Sequence, residues 1–161
     1  MMRLFDEFQE AIAGIAMRLA CGTPYGDGTS PKLLTTPAGS TAGARILYET
    51  FGRPKKATLR WSKVTFINET IKYVLDANDP FGLACNANSL AISEMQAIRN
   101  RIAHSNAGSR KAFGVVVKRY YGASLNHVTP GLLLLSPKQS PALLSRYITT
   151  CRVIVKACAR T

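Results

Sequence analysis

Apolar residues recur at steps of three and four through much of this chain, and stretches rich in glycine, proline and small polar residues separate the runs. Leu4, Phe8, Ala11, Ile12, Ile15 and Leu19 predict an amphipathic helix over residues 2–20, stopped by Gly22. Residues 21–43 gather Gly, Pro, Ser and Thr and read as a long loop. A short helix is expected over 44–51. A basic connector follows at 52–61, with Arg53, Lys55, Lys56 and Arg60 around Pro54. Ser62 is placed to cap a helix whose buried face is Val64, Ile67, Ile71, Val74 and Leu75, with Asn78, Asp79 and Pro80 as its stop. Residues 81–88 then read as a linker.

The second half continues the pattern. Ala91, Met95, Ile98 and Ile102 fall within a stripe roughly 60° wide on a helix that Ser105, Asn106 and Gly108 end. Phe113, Val116, Val117, Tyr120 and Tyr121 mark the inner face of a helix over 107–121, with Arg110, Lys111, Lys118 and Arg119 outward; the β-branched run 115–117 leaves a strand as the alternative. Residues 122–140 read as a loop or, at 132–135, a short strand. Leu144, Ile148, Cys151, Val155 and Cys158 mark a last helix over 141–160. The expected fold is all-α, a single-domain bundle of about five to six helices over 1–161 with long Gly/Pro-rich loops.

Charge changes this picture of an ordinary bundle. The formal net charge is +12 and the isoelectric point near 10.0, which points to polyanions, nucleic acid first; the bland alternative is a basic surface without a partner. All nine acidic residues lie at or before Glu94, whereas eleven Lys and Arg and no acid lie from Met95 to the end. An asymmetry of that kind is expected of a nucleic-acid-binding half. Trp61, beside the basic connector, is either a stacking platform for a base or a core residue.

Other chemistries find less in the chain. Four cysteines (Cys21, Cys85, Cys151, Cys158) without paired CxxC spacing and only two histidines make a zinc site unexpected; no metal or cofactor is predicted, and buried free thiols are. The fragments YGDGTS and GSTAG lack the lysine and preceding strand of a phosphate-cradling loop. The start lacks a signal peptide's charge order, and no apolar run approaches the roughly 20 residues of a membrane span. A cytoplasmic protein without a membrane partner is expected.

The most concentrated chemistry is at 95–108, MQAIRNRIAHSNAG. Asn100 and His104, four apart, should stack on the side away from the core, whereas Arg99 and His104 diverge by about 140° on a straight helix. They meet on one phosphate only if the helix ends near Ala103 or a second subunit completes the site. Arg99, Asn100, three further residues and His104 resemble the R-N-x-x-x-H signature of the HEPN superfamily, many of whose members are metal-independent endoribonucleases. The likeness covers residues 89–121.

That resemblance implies Arg99, Asn100 and His104 as catalytic residues and a symmetric homodimer with a shared site. It also implies toxin or phage-defence roles, with an antitoxin or other regulatory partner. Arg101, Asn106, Arg110, Lys111, Lys118 and Arg119 are the candidate RNA contacts. RNA carries its own nucleophile, the 2′-hydroxyl. A ribonuclease therefore needs a proton carrier, which suits histidine, and a planar cation for the phosphorane-like charge, which suits arginine. One histidine cannot serve as base and acid in the same step, so either the opposing His104 of a dimer or His127 is the second carrier. Two other classes fit the basic half: a non-catalytic helical RNA- or nucleotide-binding module, and a dimerisation or docking domain for an acidic protein.

Overall fold

The N-terminal repeat forms α1 (Met2–Ala20), which buries Phe5, Phe8, Ile12, Ala16 and Leu19. The computed structural model describes residues 1–52 and 59–161; the connector's Arg53, Lys55 and Lys56 lie outside them. Seven further α-helices follow among the described residues: α2 (Thr41–Leu47), α3 (Val64–Ile71), α4 (Pro80–Ala87), α5 (Ser89–Ala103), α6 (Ala107–Tyr121), α7 (Pro130–Leu135) and α8 (Leu143–Ala159). A π-helical turn, Tyr48–Gly52, extends α2. No strand occurs among them beyond one isolated bridge between Leu33 and Leu75. The all-helical expectation holds at that level, and the residues at 115–117 are helical because Val116 and Val117 pack into the core.

Several elements differ from the sequence reading. Eight α-helices stand among the described residues where about five to six are expected, because two short segments also become helical. The helix expected to carry Val74 and Leu75 stops at Ile71, so those two are buried beyond its end, and its N-cap is Lys63, not Ser62. Residues 81–88, expected as a linker, form most of α4. Asp79 and Pro80 suit a helix stop in sequence, yet the same residues start a helix: the Asp79 carboxylate accepts from the Phe81 N–H at 3.0 Å and Pro80 occupies the first turn, where no N–H is needed. Residues 130–135, expected as loop or strand, form α7, capped by the Thr129 hydroxyl, and Leu133 and Leu134 are its buried pair. An apolar run of four carries no period, so packing decided its conformation.

The long loop after α1 is pinned at several points. Tyr25 is buried and its hydroxyl donates to Asp79, which is itself fully buried and also accepts from the Lys32 N–H at 2.9 Å. Burial, and then the bond to Asp79, push the Tyr25 hydroxyl far above its ordinary range, so it stays a neutral donor. Trp61 is 7% exposed and packs edge-on against Tyr48, whose hydroxyl donates to the Ala16 carbonyl at 2.9 Å. The core reading of Trp61 is the one the fold adopts.

The free cysteines behave as small apolar residues. Cys85 on α4 and Cys158 on α8 stand 3.7 Å apart, sulfur to sulfur, and Cys151 lies against the Met95 sulfur. Burial pushes the Cys151 thiol up to about 11. The Cys85 contact, followed by burial, raises Cys158 further. A thiol raised in this way has little thiolate near neutral pH, and the thiolate is the reactive form. Labelling at pH 8 with a disulfide reagent should therefore modify half-buried Cys21 quickly and release the other three only on unfolding; more than one fast thiol would contradict this packing.

Candidate functional site

The site begins where α5 ends. Ala103 is its last helical residue, and His104 is extended at φ −138° and ψ 135° while its N–H still donates to the Asn100 carbonyl at 2.9 Å. The chain then turns into α6, and buried Ser109 holds the turn: its hydroxyl bonds the His104 carbonyl at 2.7 Å and the Asn106 carbonyl at 2.9 Å. Asn106 caps α6 by accepting from the Ser109 N–H at 2.8 Å. Asn106 therefore serves the fold with its side-chain oxygen, an Asn-x-x-Ser signal that the sequence carried.

Ending α5 at Ala103 leaves His104 extended, outside the helical geometry on which the expected stack with Asn100 rests. Asn100 instead shares a small polar cavity of about 140 Å³ with Arg99, Gln9, Ser62 and Gln96. Within one chain, His104 is not part of that cavity. Arg99 approaches Asp6 at 3.5 Å, long for an ion pair, and its Nε is buried without a hydrogen-bond partner. His104 is exposed, and its ring makes no hydrogen bond among the described residues. Ile102, expected in the buried stripe, is 43% exposed, while Ile92 and Glu94 are buried.

On the other side of the turn lies a groove of about 580 Å³. Arg101 from α5 and Arg110, Lys111 and Lys118 from α6 line it, opposite Ser124, Leu125, Asn126 and Val128. Spacings of three, four and seven put Lys111, Gly114, Val115 and Lys118 on one helix face, so the groove is legible once α6 is accepted as a helix. No acid lines it, and among the described residues none of the four cations is in an ion pair. Two of its cations also bond the His104 turn: Arg101 reaches the His104 carbonyl at 3.5 Å and Arg110 donates to the Ser105 carbonyl at 2.8 Å.

The structure thus gathers four of the six candidate RNA contacts and separates two. Asn106 is a helix cap, and Arg119 is paired with Glu94. Glu94 is 6% exposed and also accepts from Tyr120 at 3.1 Å and Tyr147 at 3.0 Å, which joins α5 to α6 and α8. Burial, then the contact with the Tyr120 hydroxyl and the negative charge of Glu94, push the Tyr147 hydroxyl far above its ordinary range, so it remains a neutral donor. Sequence spacing missed Glu94 as a core residue because a single acid on an apolar helix reads as solvated; its helical neighbours Ile92, Met95 and Ile98 were the available signal.

His127 lies in a neighbouring cleft that shares Leu125 and Val128 with the groove. Among the described residues no group of three His, Cys, Asp or Glu is placed to hold a metal ion, and no helix is long and apolar enough to cross a membrane. The fold and site define an all-helical chain with an acid-free cationic groove at a helix-turn-helix junction. No family model matches it, and comparison with curated proteins and with solved structures finds no match.

Proposed function

We propose that this chain binds single-stranded RNA in the groove of Arg101, Arg110, Lys111 and Lys118 and cleaves it with Arg99, Asn100 and His104, as a HEPN-type endoribonuclease. The observation that supports it most is that the groove's two arginines are bonded to the carbonyls of His104 and Ser105, so the exposed histidine is tied through its backbone to the cationic groove. In the reaction the 2′-oxygen gives its proton to one imidazole and forms the new bond to phosphorus. The bond to the 5′-oxygen breaks, and an imidazolium protonates the leaving oxygen. The products are a 2′,3′-cyclic phosphate and a 5′-hydroxyl.

A second copy of the chain supplies what one copy separates. Because Arg99 and Asn100 occupy a cavity apart from His104, a two-fold arrangement that sets one copy's His104 against the other's motif gives both the cation and the second proton carrier. The Arg99 guanidinium, held only loosely by Asp6, is free to fork onto phosphate oxygens. A toxin or defence role restrained by an antitoxin is the biological setting this activity suggests.

Incubation with single-stranded RNA in excess EDTA should yield cyclic-phosphate ends, at a rate per chain that falls on dilution below the dimer's dissociation constant. Loss of cleavage on chelation overturns the metal-independent mechanism. Salt-steep binding without product would leave the groove as a non-catalytic RNA module, a reading that the separation of Arg99 from His104 in one chain favours.

The groove has its own probe in Gly114. A Cβ there meets no atom within 4 Å, and the residue is helical, so a side chain is accommodated and helix propensity improves by up to about 1 kcal/mol. Gly114→Glu should melt no lower than the parent and weaken RNA binding about tenfold at low salt, with a shallower salt slope. Gly114→Gln should lose far less. Equal losses in the two variants would mean that shape, not charge, governs the groove.

A further inference from the structure

The cleft beside the groove differs from it in kind. It measures about 460 Å³, and its lining is mostly apolar: Tyr121, Leu125, Val128, Leu132 and Leu135, with His127 among them. Leu132 and Leu135 are 58% and 66% exposed because α7 is short and turns only Leu133 and Leu134 inward. Open leucines of this kind leave apolar surface wet unless a guest covers it. Leu125 and Val128 form the wall between cleft and groove, so a guest reaching over them touches both.

We propose that this cleft receives an unpaired base of the RNA strand whose phosphates lie in the groove, an inference that rests on the RNA-binding function above. A single strand offers a charged phosphate and a flat apolar base at every residue, and that pairing matches a cationic groove abutting an apolar cleft. The planar rings of Tyr121 and His127 suit a planar guest, and stacking of a base on such rings is tolerant of sequence. Lys138 and Ser136 lie at the same cleft and supply the few polar groups that reading a base edge needs. The charge complementarity is one-sided: no acid lines either depression, so an anionic strand meets no repulsion along the path from groove to cleft.

The test uses single-stranded oligothymidylate of about 10 nucleotides, which lacks the 2′-hydroxyl and so stays intact, and an equally long abasic tetrahydrofuran strand. By fluorescence anisotropy the parent protein should bind the base-bearing strand about 5- to 100-fold more tightly than the abasic one. The double substitution Leu132→Ser and Leu135→Ser, at two exposed positions, should abolish that preference and leave abasic binding unchanged. With two histidines in the chain, the His127 ring resonance can be followed by NMR and should shift with the base-bearing strand but not with the abasic one.

Equal affinity of the parent for both strands, with salt-dependent binding intact, would overturn the base site and leave the groove standing. No binding of either strand at low salt would overturn the RNA reading and this inference with it. An acidic amphipathic peptide that binds the parent but not the double variant, without displacing oligothymidylate, would assign the cleft to a protein partner and overturn the proposal.

Discussion

His104→Ala is expected to lower RNA cleavage by about 10²- to 10⁴-fold, the range over which a positioned proton carrier contributes. The fold should not notice the change. His104 is exposed, its ring makes no hydrogen bond among the described residues, and the bonds that fix the turn use its backbone carbonyl. Its melting curve should therefore stay within about 0.5 kcal/mol of the parent. Binding to a non-cleavable strand should also persist, because the four groove cations are untouched.

Arg99→Ala should cost a comparable factor, and Arg99→Lys should not restore it, since a lysine is a point charge without the planar fork. Parent-like cleavage in His104→Ala, measured by end-group analysis of the products, would remove this residue from the chemistry. An equally large rate loss in His127→Ala would transfer the second proton carrier from the opposing copy to that residue.

The largest effect on stability is expected at Glu94. Glu94→Ala removes the one acceptor shared by Arg119, Tyr120 and Tyr147, and breaking a buried charged network from one side costs about 3–5 kcal/mol. The denaturant midpoint should fall accordingly, with Glu94→Gln intermediate because an amide oxygen still accepts from the tyrosines. Arg119→Ala should be milder than Glu94→Ala, since Arg119 is the exposed partner, with 43% of its side chain accessible, yet it leaves the carboxylate to the tyrosines alone. It should also leave the salt slope of RNA binding unchanged, whereas a groove cation such as Lys111 should lower that slope by about one unit when replaced by Ala. A loss under about 1 kcal/mol in Glu94→Ala would mean that water or a rearranged α6 replaces the carboxylate.

The network also bears on the groove. Glu94 ties α5 to α6 through Arg119 and Tyr120 and to α8 through Tyr147, and α6 carries three of the four groove cations. The last acid in the sequence thus lies in the core and helps hold the acid-free half in place. Without it, α6 would be held against α5 by the packing of Phe113, Val116 and Val117 and by the Ser109 bonds at the turn.

Much of the helical framework was legible from spacing, and its limits have physical causes. On α8 the predicted face is Leu144, Ile148, Cys151, Val155 and Cys158; Cys151 and Cys158 are buried as expected, but Leu143, Tyr147 and Ile154 complete the buried stripe, while Leu144 and Val155 sit at its margin and Ile148 is 36% exposed. Apolar residues flank that stripe on both sides, so periodicity fixed the helix but left its rotation to α1 and α4, which pack on it. The same holds at α1, where Phe5 and Ala16 go inward and Leu4 and Ile15 stay at the margin.

By itself the sequence determined that the chain is helical, that residues 95–161 carry cations and no acid, and that Arg99, Asn100 and His104 stand close together near one helix end. Periodicity and composition are local or additive properties, and they survive without knowledge of neighbours. Tertiary structure alone decided that Arg101 of α5 joins the cations of α6 in a common groove, that Arg119 is taken by Glu94, and that Asp79 is a buried hub instead of a stop. It also decided that α5 ends at Ala103 and that Arg99 and Asn100 line a cavity of which His104 is not a part. Those outcomes depend on competition for partners between residues up to 54 positions apart, such as Tyr25 and Asp79, and no local pattern encodes who wins.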